Sequence, residues 1–235
     1  VNLGWRAYQT GRAVIGSAGI PKRHAGGYEG AANGRRLGNW QPGNDGANTL
    51  LFRDASLMRA RSRDLVRRNA WAANAVASLV ANMIGTGIKP QSSHPDPETK
   101  EKIQTLWLAW TKEADAHDMC GLYGLQALAA RAMIEGGEVL VRMCNREARD
   151  GLVVPLQLQV LEPEHLPASK NEDLPNGNKI RAGIEFDRIG RKVAYHLFRE
   201  HPGETPMLYR AGETSRVPAS EICHIFKPLR PGQLR

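Results

Sequence analysis

The hydrophobic period of this sequence changes once, at Gly136-Gly137, and that change limits the fold more than any other feature does. Before the glycine pair, apolar residues recur at the spacing of helices, and after it they alternate with polar residues as in strands. A helical part followed by a strand-rich part indicates an α+β fold, with N-terminal helices packed with a mostly antiparallel β-sheet region. A parallel nucleotide-binding sheet, in which strands and helices alternate, does not fit this pattern.

Apolar periodicity and capping residues predict four helices before the glycine pair. They cover residues 52–68 and 71–84, a segment that starts at residues 96–98 and includes Trp110, and residues 122–135. The Gly85-Thr86-Gly87 stretch follows a helix instead of opening one, so it is interpreted as a capping turn and not as a phosphate-binding loop. A short strand is expected at residues 88–91.

Five further strands are expected after the glycine pair. Alternation places them at residues 139–144, 156–160, 180–186, 193–197 and 222–226. The third and fourth form a hairpin around a turn at residues 187–190. The domain organisation predicted from these patterns is a basic arm at 1–49, a helical part at 50–136 and a β-rich part at 137–235.

The positive charge is concentrated near the N-terminus. Residues 1–70 hold twelve Lys and Arg against four acidic residues, which accounts for the whole net charge of +8. Residues 1–49 are rich in Gly and Asn, yet they also carry aromatic anchors, namely Trp5, Tyr8, Tyr28 and Trp40. Such a segment cannot bury enough surface to fold alone, so we expect an arm that becomes ordered on another surface.

The helix at 52–68 has an apolar arc that includes Met58, Leu65 and Val66, and we expect this arc to face the core. The arginines opposite it form a candidate surface that faces a neighbouring subunit or DNA: Arg53, Arg59, Arg63, Arg67 and Arg68. Phosphate, an acidic protein surface and plain solvent all remain open as what this face meets.

No reaction centre can be assembled from the sequence. Asp96, Glu98 and Lys100 resemble the acids and lysine of metal-dependent nucleases, but they lie within one helix start, where helix capping explains them better. His196 and His224 lie in strand patterns and are expected to be hydrogen-bonded structural residues. The three cysteines lack the paired spacing of zinc or disulfide frameworks. We therefore expect no enzyme, no metal and no cofactor.

Several stretches taken together resemble the portal proteins of lambda-type tailed phages. The resemblance rests on their order and spacing, and it covers about residues 53–235. The stretches are residues 63–72, the turn Gly85-Thr86-Gly87-Ile88-Lys89-Pro90, Gly137-Glu138-Val139-Leu140-Val141-Arg142, residues 183–187 with Gly190-Arg191, Ala194-Tyr195-His196-Leu197, Val217-Pro218-Ala219, Ile222-Cys223-His224-Ile225-Phe226 and Arg230-Pro231-Gly232-Gln233.

This resemblance implies a structural protein that forms a ring of about twelve copies of itself at one capsid vertex. The partners it implies are terminase, the major capsid protein, head-tail connector proteins and double-stranded DNA held without sequence preference. The implied location is the virion, with the bacterial host cytoplasm during assembly and no membrane. Because family members continue beyond the Arg230 motif, this chain is expected to hold mainly the outer, wing-like part and to lack most of the DNA channel. The alternative is a basic nucleic-acid-binding or DNA-processing phage protein.

Overall fold

The structure is a computed structural model, and it describes Arg35, residues 38–204 and residues 213–235. The chain divides into two units, Val1–Asp45 and Gly46–Arg235. In the first unit, Trp40 is exposed and the Gln41 side chain donates a hydrogen bond to the carbonyl of Gly38. The other predicted arm anchors, Trp5, Tyr8 and Tyr28, lie outside the described residues.

Within the second unit, four α-helices precede the sheets in the part of the chain that is described. They are α1 (Ala47–Arg68), α2 (Ala70–Ile84), α3 (Pro97–Glu113) and α4 (Leu122–Gly136). None of the helices described is long and apolar enough to cross a membrane. The predicted helices are confirmed, although α1 begins five residues earlier than periodicity indicated. Its first turn lies in the Gly- and Asn-rich segment, where apolar periodicity gives no signal.

Eight strands follow in the described residues: β1 (Glu138–Asn145), β2 (Leu156–Leu161), β3 (Glu172–Asp173), β4 (Lys179–Arg181), β5 (Ile184–Phe186), β6 (Lys192–Phe198), β7 (Thr214–Pro218) and β8 (Ile222–Phe226). They form two antiparallel sheets. The three-stranded sheet has the order β2-β1-β8, and the five-stranded sheet has the order β3-β4-β5-β6-β7. The α+β fold class is therefore confirmed.

The three-stranded sheet is the middle layer of the second unit. The register pairs Val141 with Val160, so these side chains share one face, and that face packs on Trp110 and Leu125 of α3 and α4. The register also pairs Leu140 with Leu161 on the opposite face. Those two leucines join the core that is shared with the five-stranded sheet. The sheet is thus buried from both sides along much of its length.

Two strand predictions are wrong. Residues 88–91 form no strand, because the side chain of Gln126 hydrogen-bonds the backbone N–H and carbonyl of Ile88 and takes the place of a strand partner. Residues 180–186 are not one strand, because the chain reverses at Ala182 and Gly183, which have φ of 51° and 79°. The strand therefore splits into β4 and β5. The hairpin of β5 and β6 is confirmed, with Ile184 opposite Tyr195.

The apolar residues that recur at helical spacing in α3 and α4 are only partly buried. Trp110 of α3 and Leu125 of α4 are buried, but Leu106 and Leu128 are exposed. Ile103 of α3 is exposed as well. The helices thus bury one edge of each apolar stripe and leave the other edge on the surface.

Asn69 joins α1 to α2 and generates a stability prediction. Its backbone N–H donates to the carbonyl of Leu65 at the end of α1, and its side-chain oxygen accepts from the N–H groups of Trp71 and Ala72 at 2.9 and 3.3 Å. We expect Asn69→Ala to lower the free energy of unfolding by about 1 kcal/mol, because two N–H groups lose their acceptor. Asn69→Ser should retain most of the stability, because serine also accepts from these N–H groups. Urea denaturation measures the free energy of unfolding of both variants. Equal stability of the alanine and serine variants would contradict the capping role.

Candidate functional site

The arginines of α1 were predicted to lie opposite the packed face, and for two of them this prediction is wrong. Arg59 is 12% exposed; its Nη2 donates to Oε1 of Glu138 at 2.6 Å, and its Nε donates to the carbonyl of Gly136 at 3.1 Å. Arg63 donates from both terminal nitrogens to the two carboxylate oxygens of Glu164, at 2.9 and 3.0 Å. Arg59 and Arg63 therefore lie on the packed face of the helix.

The predicted apolar arc of α1 is turned toward the surface as a consequence. Met58 and Leu65 are exposed, while Val66 remains half-buried beside the two inward arginines. Hydrophobic periodicity alone would place Met58 and Leu65 inside. The charge of Glu138 overrides it, because an unpaired buried carboxylate costs more free energy than two exposed apolar side chains.

Glu138 is the buried acid that draws Arg59 inward. It follows the Gly136-Gly137 turn directly, and only 4% of its side chain is exposed. Its Oε1 accepts from Arg59 and from Nε of Arg235 at 2.9 Å, and its Oε2 accepts from Nε2 of His224 at 2.8 Å. Burial by itself raises the pKa of Glu138. The hydrogen bond from His224 and the charge of Arg235 outweigh burial and lower the pKa to about 2.

His224 is neutral in this cluster, because burial lowers the pKa of its imidazole despite the neighbouring carboxylate. A neutral ring with its proton on Nε2 donates to Glu138, and its Nδ1 then accepts from the hydroxyl of Tyr195 at 3.4 Å. Burial also raises the pKa of Tyr195 to about 12, so that the phenol keeps its proton. The prediction that His224 is a hydrogen-bonded structural residue is confirmed.

Arg235 is the third partner of Glu138 and is almost fully buried. Beyond the carboxylate, its Nη1 donates to the carbonyl of Leu166 and its Nη2 to the carbonyl of Pro163, both at 3.0 Å. Asn48 in α1 holds the same segment, since its side chain donates to the carbonyl of Gly232 and accepts from the N–H of Leu234. The Arg235 segment is thus tied both to the start of α1 and to the sheets.

A second buried acid, Glu185, lies in the five-stranded sheet. Its carboxylate accepts hydrogen bonds from Nε of Arg216 at 2.8 Å, Nδ2 of Asn178 at 2.7 Å and Nε2 of His196 at 3.2 Å. The hydrogen bond from Arg216 is the largest influence and lowers the pKa of Glu185 to about 2. His196 is therefore structural, as the sequence predicted.

The remaining arginines of the predicted surface lie outside the core. Arg53, Arg67 and Arg68 are each well over half exposed. Arg67 and Arg68 both pair with Asp64, at 2.6 and 2.8 Å, and Arg53 pairs with Asp54. Exposed pairs of this kind contribute little to stability and are easily exchanged for another anion. These three are the members of the predicted set whose side chains are more than half exposed.

The groups considered for catalysis serve structural purposes where the structure describes them. Asp96 caps α3 by accepting from the N–H of Thr99 at 2.9 Å, as the sequence predicted. Glu135 pairs with Arg131 on its own helix, at 2.8 Å. One set of possible metal ligands, Glu162, Glu164 and His201, lies within 4.8 Å. Arg63 already binds both of its carboxylates, and a cation would have to displace it.

The described fold therefore spans the helices, both sheets and a buried ionic cluster that joins them. Comparison with known proteins matches residues 33–235 to the family described as phage portal protein, lambda family. The chain belongs to this family. The match covers the helical part and the β-rich part together, so it includes every element of the second unit.

Individual relatives in the lambda-type portal family agree with this assignment. The chain is 30% identical over 200 residues to a probable portal protein of Halomonas phage phiHAP-1, which covers 80% of this chain and 38% of that protein. It is 25% identical to portal protein B of Escherichia phage lambda, over 94% of this chain and 45% of that protein. The portal protein of Escherichia phage N15 is 24% identical, over 91% of this chain and 43% of that protein. The chain spans about two fifths of the length of these relatives.

The Glu138 cluster generates a prediction about pH and stability. The pKa of Glu138 is 4.5 in an unfolded chain and about 2 in the folded protein, so its contribution is present above pH 4.5 and is lost as the pH falls toward 2. We expect Glu138→Gln to lower the free energy of unfolding by about 3 to 5 kcal/mol at pH 7, because two buried arginines lose their counter-charge. The difference from the unmodified protein should shrink below pH 4.5.

The matched control is Glu98→Gln, which removes an exposed glutamate paired with Lys102 at 2.6 Å. This change should lower the free energy of unfolding by less than about 1 kcal/mol, and the loss should depend much less on pH. Urea denaturation at several pH values measures the free energy of unfolding of all three proteins. Similar losses in the two variants at pH 7 would refute the central role of Glu138.

Proposed function

We propose that this protein is a structural subunit of the portal ring of a tailed phage, through which DNA enters the capsid and later leaves it. The observation that carries the proposal is the family match over residues 33–235, which spans helices and sheets together. The partners are further copies of the chain, terminase, the major capsid protein, head-tail connector proteins and double-stranded DNA held without sequence preference. The protein acts in the virion, and in the cytoplasm of the bacterial host during assembly.

The mechanism of such a protein is geometric, and it needs neither a reaction centre nor a cofactor. The buried acids of the described residues support this, because Glu138 and Glu185 are each held by an arginine and a histidine inside the fold. Both oxygens of each carboxylate already accept hydrogen bonds from groups of the fold. They fix the relative positions of helices and strands, which is what a ring subunit requires.

The exposed side of α2 favours a contact with another copy of the chain. This helix contains no charged residue, and Trp71 is 85% exposed. Trp71, Ala75, Leu79 and Met83 are spaced four residues apart, so they form one continuous ridge of the kind that packs into the groove of another helix. An uncharged ridge suits a protein surface and not DNA phosphate. We assign this ridge to the neighbouring subunit of the ring.

We expect Trp71→Glu to prevent ring formation, because a charge would be buried at the subunit contact. The control is Ile189→Glu, which places the same charge at a position 71% exposed in the β5–β6 turn. Native mass spectrometry of the complete product of the gene measures the oligomer, and circular dichroism verifies the fold of each variant. A full ring formed by a folded Trp71→Glu protein would exclude this contact.

The exposed arginines Arg53, Arg67 and Arg68 are proposed to face an acidic surface of the adjacent subunit. Replacing all three with alanine should weaken ring formation and leave DNA affinity nearly unchanged. If they instead contact DNA phosphate, the slope of log affinity against log salt should fall by about one unit for each lost contact. Arg59 and Arg63 are kept, because removing them would destabilise the core.

The control for this experiment removes three exposed arginines from the β-rich part: Arg149, Arg188 and Arg191. It changes the net charge equally but leaves α1 intact. Ring mass and DNA titrations at several salt concentrations separate the two partners. Identical behaviour of the two triple variants would mean that only net charge matters and that α1 holds no partner site.

A further inference from the structure

A polar cleft of about 440 Å³ lies at one end of the three-stranded sheet. Its lining comes from β1, β2, the loop after α3 and the turn before β8. The residues that matter for its chemistry are His117, Arg142, Asn145, Arg146, Gln159 and Glu221. None of them takes part in the Glu138 cluster or in the surface of α1, so the cleft is a separate feature of the fold.

The cleft exists because the inner face of the three-stranded sheet changes from apolar to polar along β1. The register places Leu140 beside Leu161 at the covered end and Arg142 beside Gln159 at the other. Leu140 packs in the core shared with the five-stranded sheet, whereas Arg142 and Gln159 line the cleft. The face thus ends in hydrogen-bonding side chains where the core stops.

Arg142 carries a buried hydrogen-bond donor without an acceptor in this cleft. Its Nε is buried and makes no hydrogen bond, and no ion pair links its guanidinium to a carboxylate among the described residues. Two other inward arginines, Arg59 and Arg235, each make a hydrogen bond and an ion pair with the carboxylate of Glu138. A buried charged donor without an acceptor is costly, and an anion bound in the cleft would supply the missing acceptor.

The neighbours of Arg142 are arranged to assist an anion. Arg146 uses its Nε to hold Oε1 of Gln157 at 2.9 Å, which leaves its terminal amino groups for a ligand. The amide nitrogen of Gln159 and Nε2 of His117 lie 3.3 Å apart, within hydrogen-bonding distance of each other. The arginines and acids that line the cleft are Arg142, Arg146 and Glu221.

We propose that this cleft binds one carboxylate group. Two guanidinium groups against one glutamate leave a single positive charge, which a single carboxylate neutralises, and the planar fork of arginine matches carboxylate oxygens. DNA does not fit, because its phosphates require a row of cations and Glu221 repels them. The inference rests on the cleft alone and does not depend on ring formation or on the portal assignment.

The test follows the Nε–H signals of Arg142 and Arg146 by nuclear magnetic resonance in the whole 235-residue chain. Acetate is the carboxylate probe, titrated at constant ionic strength against chloride. We expect saturable shifts of both signals with acetate and none with chloride. Arg142→Gln, followed through the Arg146 signal, should weaken acetate binding by about tenfold or more, because it removes a charge-assisted hydrogen-bond donor.

Two further variants make the test independent of any folding defect in Arg142→Gln. Glu221→Gln should strengthen acetate binding several-fold, because the repelling carboxylate is gone while both arginines remain. Arg149→Gln removes an exposed arginine that pairs with Glu147 outside the cleft, and it should leave binding unchanged.

Other outcomes overturn the proposal. Shifts that are equal in acetate and chloride would show that the cleft does not select a carboxylate. Inorganic phosphate binding more than tenfold tighter than acetate, or a short DNA duplex that shifts the same two signals at lower concentration, would assign the cleft to phosphate instead. Unchanged acetate affinity in both Arg142→Gln and Glu221→Gln would remove these residues from any binding site.

Discussion

The buried carboxylate of Glu138 is the constraint on which the packing of the second unit depends. A charge in the interior must be paired and hydrogen-bonded, and here the partners come from three distant parts of the chain: Arg59 in α1, His224 in β8 and Arg235. Because all three must reach one carboxylate, the helix, the sheet and the Arg235 segment have one compatible arrangement. The cluster therefore fixes which face of α1 packs inward.

The two buried acids restrain the fold at different depths. Glu138 lies between the helices and both sheets, and its partners Arg235 and His224 are almost fully buried. Glu185 lies within the five-stranded sheet, and its partner Arg216 is about half exposed, so that the guanidinium covers the acid from the surface. Loss of the first would separate layers, whereas loss of the second would loosen one sheet. Each acid also uses a histidine, which supplies a hydrogen bond without adding a second full charge.

The described helices expose more large apolar side chains than the strands do. Large apolar side chains are exposed on each described helix, for example Met58, Trp71, Leu106 and Leu128. The inner faces of the sheets, by contrast, are closed around Leu140, Ile184 and Tyr195. Apolar periodicity therefore corresponds to buried side chains in the sheets and only partly in the helices.

Local sequence patterns determined the secondary structure: the change of period at Gly136-Gly137 separated helices from strands, and the boundaries of α2 and β8 followed from capping and alternation. Those patterns failed where a distant side chain supplied the hydrogen bond, as Gln126 does for Ile88. They also missed the reversal at Ala182-Gly183, because alternation continues through the turn.

The site was less predictable still. The sequence identified the arginines of α1 as a set, but only the tertiary structure decided that Arg59 and Arg63 face inward, because the acids that bind them lie 79 and 101 residues away along the chain.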